Sequence, residues 1–401
     1  MYTSNVVSEW VSKNWKIVTF NLSIFILGSL LLLFKIGTIP KGLSSLELNT
    51  YTKLTSNTLN IHYFIHHLSS GPFLKRYLIL NFLHLHSLIF IRSIGYLFGL
   101  LVIYVFFYTV LKLTNSFVAI LSTLLFTTNL WFLQLIRNDQ NLIFYALATT
   151  ALISLILLFI RSKRRDVISL PIAALVACLI YVPGMIWLLL LCSVVFFKPI
   201  RQHFKNLKLS YQIFLPIIFL LFIAPLGIYY KHFKSKILSL TYIPNHLSST
   251  TTLLHRLIEY PLNLLIYNFN TSQLSIGNLP IFDLASVIFI IFGAYWAFIN
   301  RKQVLFKYIA LGIVVGWILF IFNGATALYF ALPLFSLLIA FGIYYFHSEW
   351  QGTFPRNPYP RTIGIILLIL LVSVVVLYHI DQYFVVWPHT SQVLAIYDHY
   401  L

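Results

Sequence analysis

The feature that most restricts this chain is a series of apolar blocks, each about as long as a membrane is thick. They run roughly over 17–39, 87–111, 116–135, 141–160, 167–181, 184–197, 211–229, 281–299, 308–322, 328–346 and 362–380. As α-helix, about 20 residues cross the ~30 Å of bilayer hydrocarbon. In lipid every backbone amide must find its partner inside the segment or in a closed barrel, and blocks this long and continuous mean helices. Only 9% of the 401 residues are charged, against 60% hydrophobic. An ordinary soluble domain carries about 25% charge, so water cannot be the solvent for most of this surface. The expected fold is an all-α polytopic transmembrane bundle of about eleven spans. Within 167–197, Pro183-Gly184 predicts a break between two short helices.

The formal net charge of +18 does not indicate nucleic acid, because the basic residues form no single stripe or face. They punctuate the apolar blocks, as topology signals do. With the N-terminus cytoplasmic, Lys13 and Lys16, the run Arg161 to Arg165, the loop Lys198 to Lys208, the loop Arg301 to Lys307, and Arg356 with Arg361 share one side. That arrangement predicts a multi-pass plasma-membrane protein. The first block reads as a signal anchor, since Lys41-Gly42-Leu43 follows it where a cleavage site would need small residues. The transmembrane domain then covers 1–380. Two long loops, about 40–86 and 230–280, and a short tail, 381–401, fall on the extracytoplasmic side. Aromatic and apolar residues at helical spacing in 58–86 and 242–280 predict interfacial helices. Cys178 and Cys192 both lie in apolar stretches and predict neither disulfide nor metal.

Nine acidic residues remain to carry chemistry. On this topology Glu47 and Asp139 meet the same membrane face, beside spans close in sequence. Two such carboxylates could converge on one cavity, where one could act as a general base and a cation could balance developing negative charge. Arg92, Arg137, Lys75 and Arg76 are the available cations, arginine being the better fork for phosphate. Each has a plainer reading. Glu47 is spaced to cap a helix start, Arg137 and Asp139 to form a polar turn, and Arg92 to reach interfacial lipid phosphates. His62 and His66 have the i, i+4 spacing of a metal pair but no nearby carboxylate, so interfacial histidines are the commoner explanation.

The run Pro40-Lys-Gly42-Leu43-Ser44-Ser-Leu46-Glu47 after the first span, Ser87 to Arg92, Ile136-Arg137-Asn138-Asp139, Tyr181-Val-Pro183 and Tyr329-Phe-Ala-Leu-Pro333 together resemble the GT-C class of polytopic glycosyltransferases. The resemblance is nearest the branch of protein O-mannosyltransferases and aminoarabinose transferases. It covers most of residues 15–346 and rests mainly on layout. It implies a polyprenyl-phosphate sugar donor and transfer on the outer face to a lipid, glycan or protein acceptor; the phosphate leaving group would then need a cation, either Arg, Lys or a bound divalent metal. Beside the resemblance, the residues themselves leave Glu47 as the best catalytic base and Asp139 to orient it or bind a metal, with Arg92, Arg137, Lys75 and Arg76 as cations for the donor phosphate; Tyr329, in the late motif, is a further substrate contact. Two positions depart from the family pattern. Leu46 stands where the family has aspartate, and Leu328 stands where it has arginine. These departures motivate a second reading, a GT-C-like protein that binds lipid carrier or scaffolds an assembly without transfer. A third, a flippase or transporter, would need ionisable residues at mid-membrane, and the middles of these blocks hold almost none.

Overall fold

A computed structural model describes residues 26, 28–45, 47–48, 88–137, 143–162, 165–232, 240–244, 249–267, 276, 279–324 and 328–398. Among them there is no extended strand. The helices are α1 (Leu88–Leu113), α2 (Ser116–Thr128), α3 (Leu130–Arg137), α4 (Ile143–Arg161), α5 (Arg165–Leu179), α6 (Met185–Val195) and α7 (Phe197–Asn206). They continue with α8 (Leu209–His232), α9 (Thr250–Leu265), α10 (Leu284–Ile299), α11 (Val304–Asn323), α12 (Leu328–Thr353), α13 (Pro358–Asp381) and α14 (Ser391–Ile396).

The chain is an all-helical, multi-pass membrane protein. Five helices are long and apolar enough to cross a bilayer, or seven when the bent pairs α2–α3 (62°) and α6–α7 (75°) each count as one span. This is fewer than the eleven expected from the sequence. Three of the expected spans form apolar helices of 10–17 residues, at 143–159, 166–179 and 284–299. Of the first expected span, 17–39, residues 26 and 28–39 are described, with 28–33 helical; 17–25 and 27 lie outside the described residues. The expected break in 167–197 falls at 180–184, where Gly184 adopts φ 78° after Pro183.

The core is organised around α12, whose residues from Leu328 to Ile343 are all buried. Helices α2, α4, α10, α11 and α13 pack around it. The crossing of α10 and α12 is unusually close. A Cβ added at Gly293 would fall on the Leu338 carbonyl, and one at Gly342 on the Phe289 carbonyl. Where lipid gives no hydrophobic drive between helices, such small-residue contacts let the backbones approach and dispersion hold them. By contrast, α8 presents Ile213, Phe214, Ile217, Leu220 and Leu221 outward.

The segment after α13 is not a loose tail. Residues Gln382–Val386 form a π-type turn and Trp387–His389 a 3-10 turn, followed by α14. Tyr383, Trp387, Val393 and Tyr397 are buried against the bundle.

A buried pair of arginines at one end of the bundle

Two helices bring two arginines together. The crossing of α1 and α3 is set at Gly95, where an added Cβ would strike the Ile136 carbonyl. Arg92 lies one turn before Gly95 on α1, and Arg137 follows Ile136 at the end of α3. Both are buried, with 1% and 0% of their surface exposed.

Arg92 is fully engaged. Its Nε donates to Glu47 Oε1 at 2.8 Å, and Nη2 donates to Glu47 Oε2 at 3.2 Å and to the Gly42 carbonyl at 3.0 Å. Nη1 donates to the Ile36 and Pro40 carbonyls at 3.1 and 3.2 Å. A guanidinium has five N–H donors, and all five are used. Glu47 is equally committed. Its Oε2 accepts from the Ser44 amide at 3.0 Å and faces the Ser44 hydroxyl at 3.4 Å, while the Glu47 amide donates to Ser44 Oγ at 3.2 Å. The reciprocal bonds of Ser44 and Glu47, three residues apart, form a capping box. Together Arg92 and Glu47 pin the chain that leaves the first apolar block against α1.

Arg137 is the opposite case. None of its three guanidinium nitrogens makes an aligned hydrogen bond, although the Tyr383 hydroxyl lies near enough to interact with its charge. Its charge sits 5.4 Å from the Tyr383 ring centre and 5.1 Å from that of Phe384. Ring faces attract the cation but leave its in-plane N–H donors without aligned acceptors. More orphaned groups surround it. The hydroxyls of Tyr383 and Tyr329, Trp387 Nε1, and the amide atoms of Gln134, one turn earlier on α3, are buried without partners. Ring contacts run among them: Trp387 stacks on Tyr383 at 5.2 Å and meets Tyr397 edge-on at 6.0 Å, while Trp131 meets Tyr329 at 5.1 Å. Burial, with the Glu47 carboxylate and the Tyr383 phenol nearby, holds the Tyr397 phenol well above its ordinary range. The Glu47 carboxylate balances Arg92, so among the described side chains of this cluster Arg137 is the one charge left unbalanced.

Beyond this cluster, His379 near the end of α13 bridges two other helices. Its Nε2 lies 3.0 Å from Asp283 Oδ2 and its Nδ1 lies 3.3 Å from Thr128 Oγ1. Asp283 caps α10, accepting from the Ser286 amide at 2.9 Å and the Ser286 hydroxyl at 2.5 Å. The sequence reading passed over His379, although a histidine inside an apolar helix is itself a signal of a polar partner. It also passed over Tyr383 and Trp387, taken there as part of a short tail.

Of the sequence-derived site residues, the structure gathers Glu47 and Arg92 in one ion pair. It places Arg137 in the orphaned cluster and links Tyr329 to that cluster through Tyr397, whose phenol lies close enough to Tyr329 to influence it. Asp139, Lys75 and Arg76 lie outside the described residues, as do His62, His66, His67, His84 and His86. Among the described residues no three His, Cys, Asp or Glu side chains converge as a metal site would require. No family model, curated protein or solved structure matches the chain.

Proposed function

We propose that this protein is a membrane glycosyltransferase that moves a sugar from a polyprenyl-phosphate donor to a lipid, glycan or protein acceptor on the outer face of the plasma membrane. One observation carries the reading: a fully buried arginine that, among the described residues, has no aligned hydrogen bond and no paired carboxylate, with further unpaired polar groups in the same cluster. An uncompensated buried cation is costly, and in a membrane protein such a residue marks a ligand path. A phosphate supplies what the pocket lacks, an anion with several acceptors for a planar fork. The basic-loop pattern supports a cytoplasmic N-terminus, which puts this end of the bundle outside. Adding the three shorter apolar helices and the first block to the seven candidate spans gives the eleven-span bundle we favour.

In the reaction, an acceptor hydroxyl oxygen attacks the sugar's anomeric carbon. The bond from that carbon to the phosphate oxygen breaks, and its electron pair stays on the phosphate, where Arg137 balances the charge. A carboxylate takes the hydroxyl proton. Glu47 has both oxygens committed, so we assign the base to Asp139, two residues beyond Arg137. Arg92 and Glu47 become the fixed wall of the site, and Tyr329 a phosphate contact. Lys75 and Arg76 remain proposed donor contacts from the long loop.

The test is transfer of radiolabelled sugar from polyprenyl phosphate in membranes containing the full chain. Arg137→Gln is expected to abolish donor binding and transfer together, whereas Asp139→Asn abolishes transfer and spares binding. Undiminished transfer in Arg137→Gln ends this reading. A second reading is favoured by the saturation of Glu47, together with Leu46 and Leu328: the protein holds the lipid carrier without transferring sugar. Donor binding without turnover in the wild type would select it.

A further inference from the structure

We infer that residues 382–398 are a removable cover for the Arg137 pocket, and that Tyr383 and Trp387 of this cover donate to the phosphate once it is bound. The inference rests on the carrier-binding reading above.

Three observations lead to it. Arg137 is closed off completely, and the groups over its charge, Tyr383 and Phe384, belong to the segment after α13. The buried atoms that this segment turns inward without partners, Tyr383 Oη, Trp387 Nε1 and Gln382 Oε1, are mostly donors. Tyr383 and Trp387 thus add unpaired donors to the cluster of Arg137, which the amide oxygens of Gln134 and Gln382, themselves unpaired, do not meet. A phosphate monoester supplies acceptors of the kind these donors lack. Apolar packing alone gives no reason for a tyrosine and a tryptophan to bury their polar ends here, since both normally find partners when buried.

The third observation concerns attachment. Beyond the local backbone bonds that continue its helix, no described side chain or amide of residues 383–397 hydrogen-bonds to another part of the described chain. The bonds of His389, Thr390, Leu394 and Tyr397 all stay within the segment. Residues 383–397 are held to the described bundle by ring contact and apolar burial, including Phe384 against Phe34 at 5.3 Å. The segment also begins with a π-type turn, a rare element found mostly at functional sites. A strap whose residues 383–397 are held by packing, joined through an irregular turn and lying over a cluster of unpaired donors, can lift without breaking a hydrogen-bond ladder.

The test uses the detergent-solubilised full chain and two probes, farnesyl phosphate and inorganic phosphate, with association and dissociation followed by stopped-flow or surface methods. Wild type is expected to bind farnesyl phosphate with an association rate that saturates as probe concentration rises, because opening becomes limiting. Val393→Ala, which loosens the cover and keeps every donor, raises that ceiling several-fold. Tyr383→Phe removes a hydroxyl that makes no aligned hydrogen bond in the free protein, so folding is expected to be unharmed. It speeds probe dissociation about tenfold, the weight of one hydrogen bond to a charged group. Association linear in probe and unchanged by Val393→Ala overturns the cover, and unchanged dissociation in Tyr383→Phe overturns its donor role. If either occurs while Arg137→Gln still abolishes binding, the cover falls and the carrier reading stands. If wild type binds neither probe, both fall. Equal binding of inorganic phosphate keeps the cover and assigns it to free phosphate, overturning the lipid source.

Discussion

Arg92 and Arg137 face each other across the α1–α3 crossing, and both are almost wholly buried. The first has a carboxylate and three carbonyls around it, so each N–H is met. The second has two aromatic faces and no aligned acceptor along its edges. Residue type and depth are the same, so the contrast isolates what each is for. A saturated arginine holds chain to chain. An arginine left without acceptors is kept at a cost to the fold, and such a cost is accepted where a ligand will offset it.

The contrast can be broken by measuring stability in detergent, by heat or SDS titration. Arg92→Met strands a buried carboxylate and three carbonyls, and should destabilise by about 3–5 kcal/mol, the usual result of removing one partner of a buried pair. A loss below about 1 kcal/mol would make the pair dispensable. His379→Leu, a control in the other closed network, leaves Asp283 with its Ser286 bonds only, and should cost about 1–3 kcal/mol. Ser44→Ala removes the hydroxyl half of the capping box, for about 1 kcal/mol. Arg137→Met should change stability least. Lost ring attraction and relieved burial of a lone charge nearly cancel, so a shift within about 1 kcal/mol of zero is expected. That variant should nevertheless lose all binding of farnesyl phosphate. If Arg137→Met costs as much as Arg92→Met, the two arginines are alike and the distinction collapses.

Much of the helical layout was readable from the sequence, because apolar blocks and basic punctuation are properties of the chain itself. So was the capping spacing of Ser44 and Glu47, a local pattern. What could not be read is non-local. Glu47 and Arg92 are 45 residues apart, and Asp283 and His379 are 96 apart. Nothing in either segment names its partner. A buried, orphaned arginine and a hydrogen-bonded one look identical in a string of letters. Residues 381–401 have the look of a short tail because they follow the last long apolar block. Their own Tyr383-Phe-Val-Val-Trp387 run is apolar enough to have announced a docked element.

The close crossing of α10 and α12 has a mechanical consequence. With glycine against carbonyl on both sides, these two helices cannot slide past each other without steric clash. Asp283, at the head of α10, is in turn fastened to His379 on α13. The three helices therefore act as one rigid lever arm, clamped almost to its end. Any bending that reaches the Arg137 pocket has its pivot in the few residues after 381.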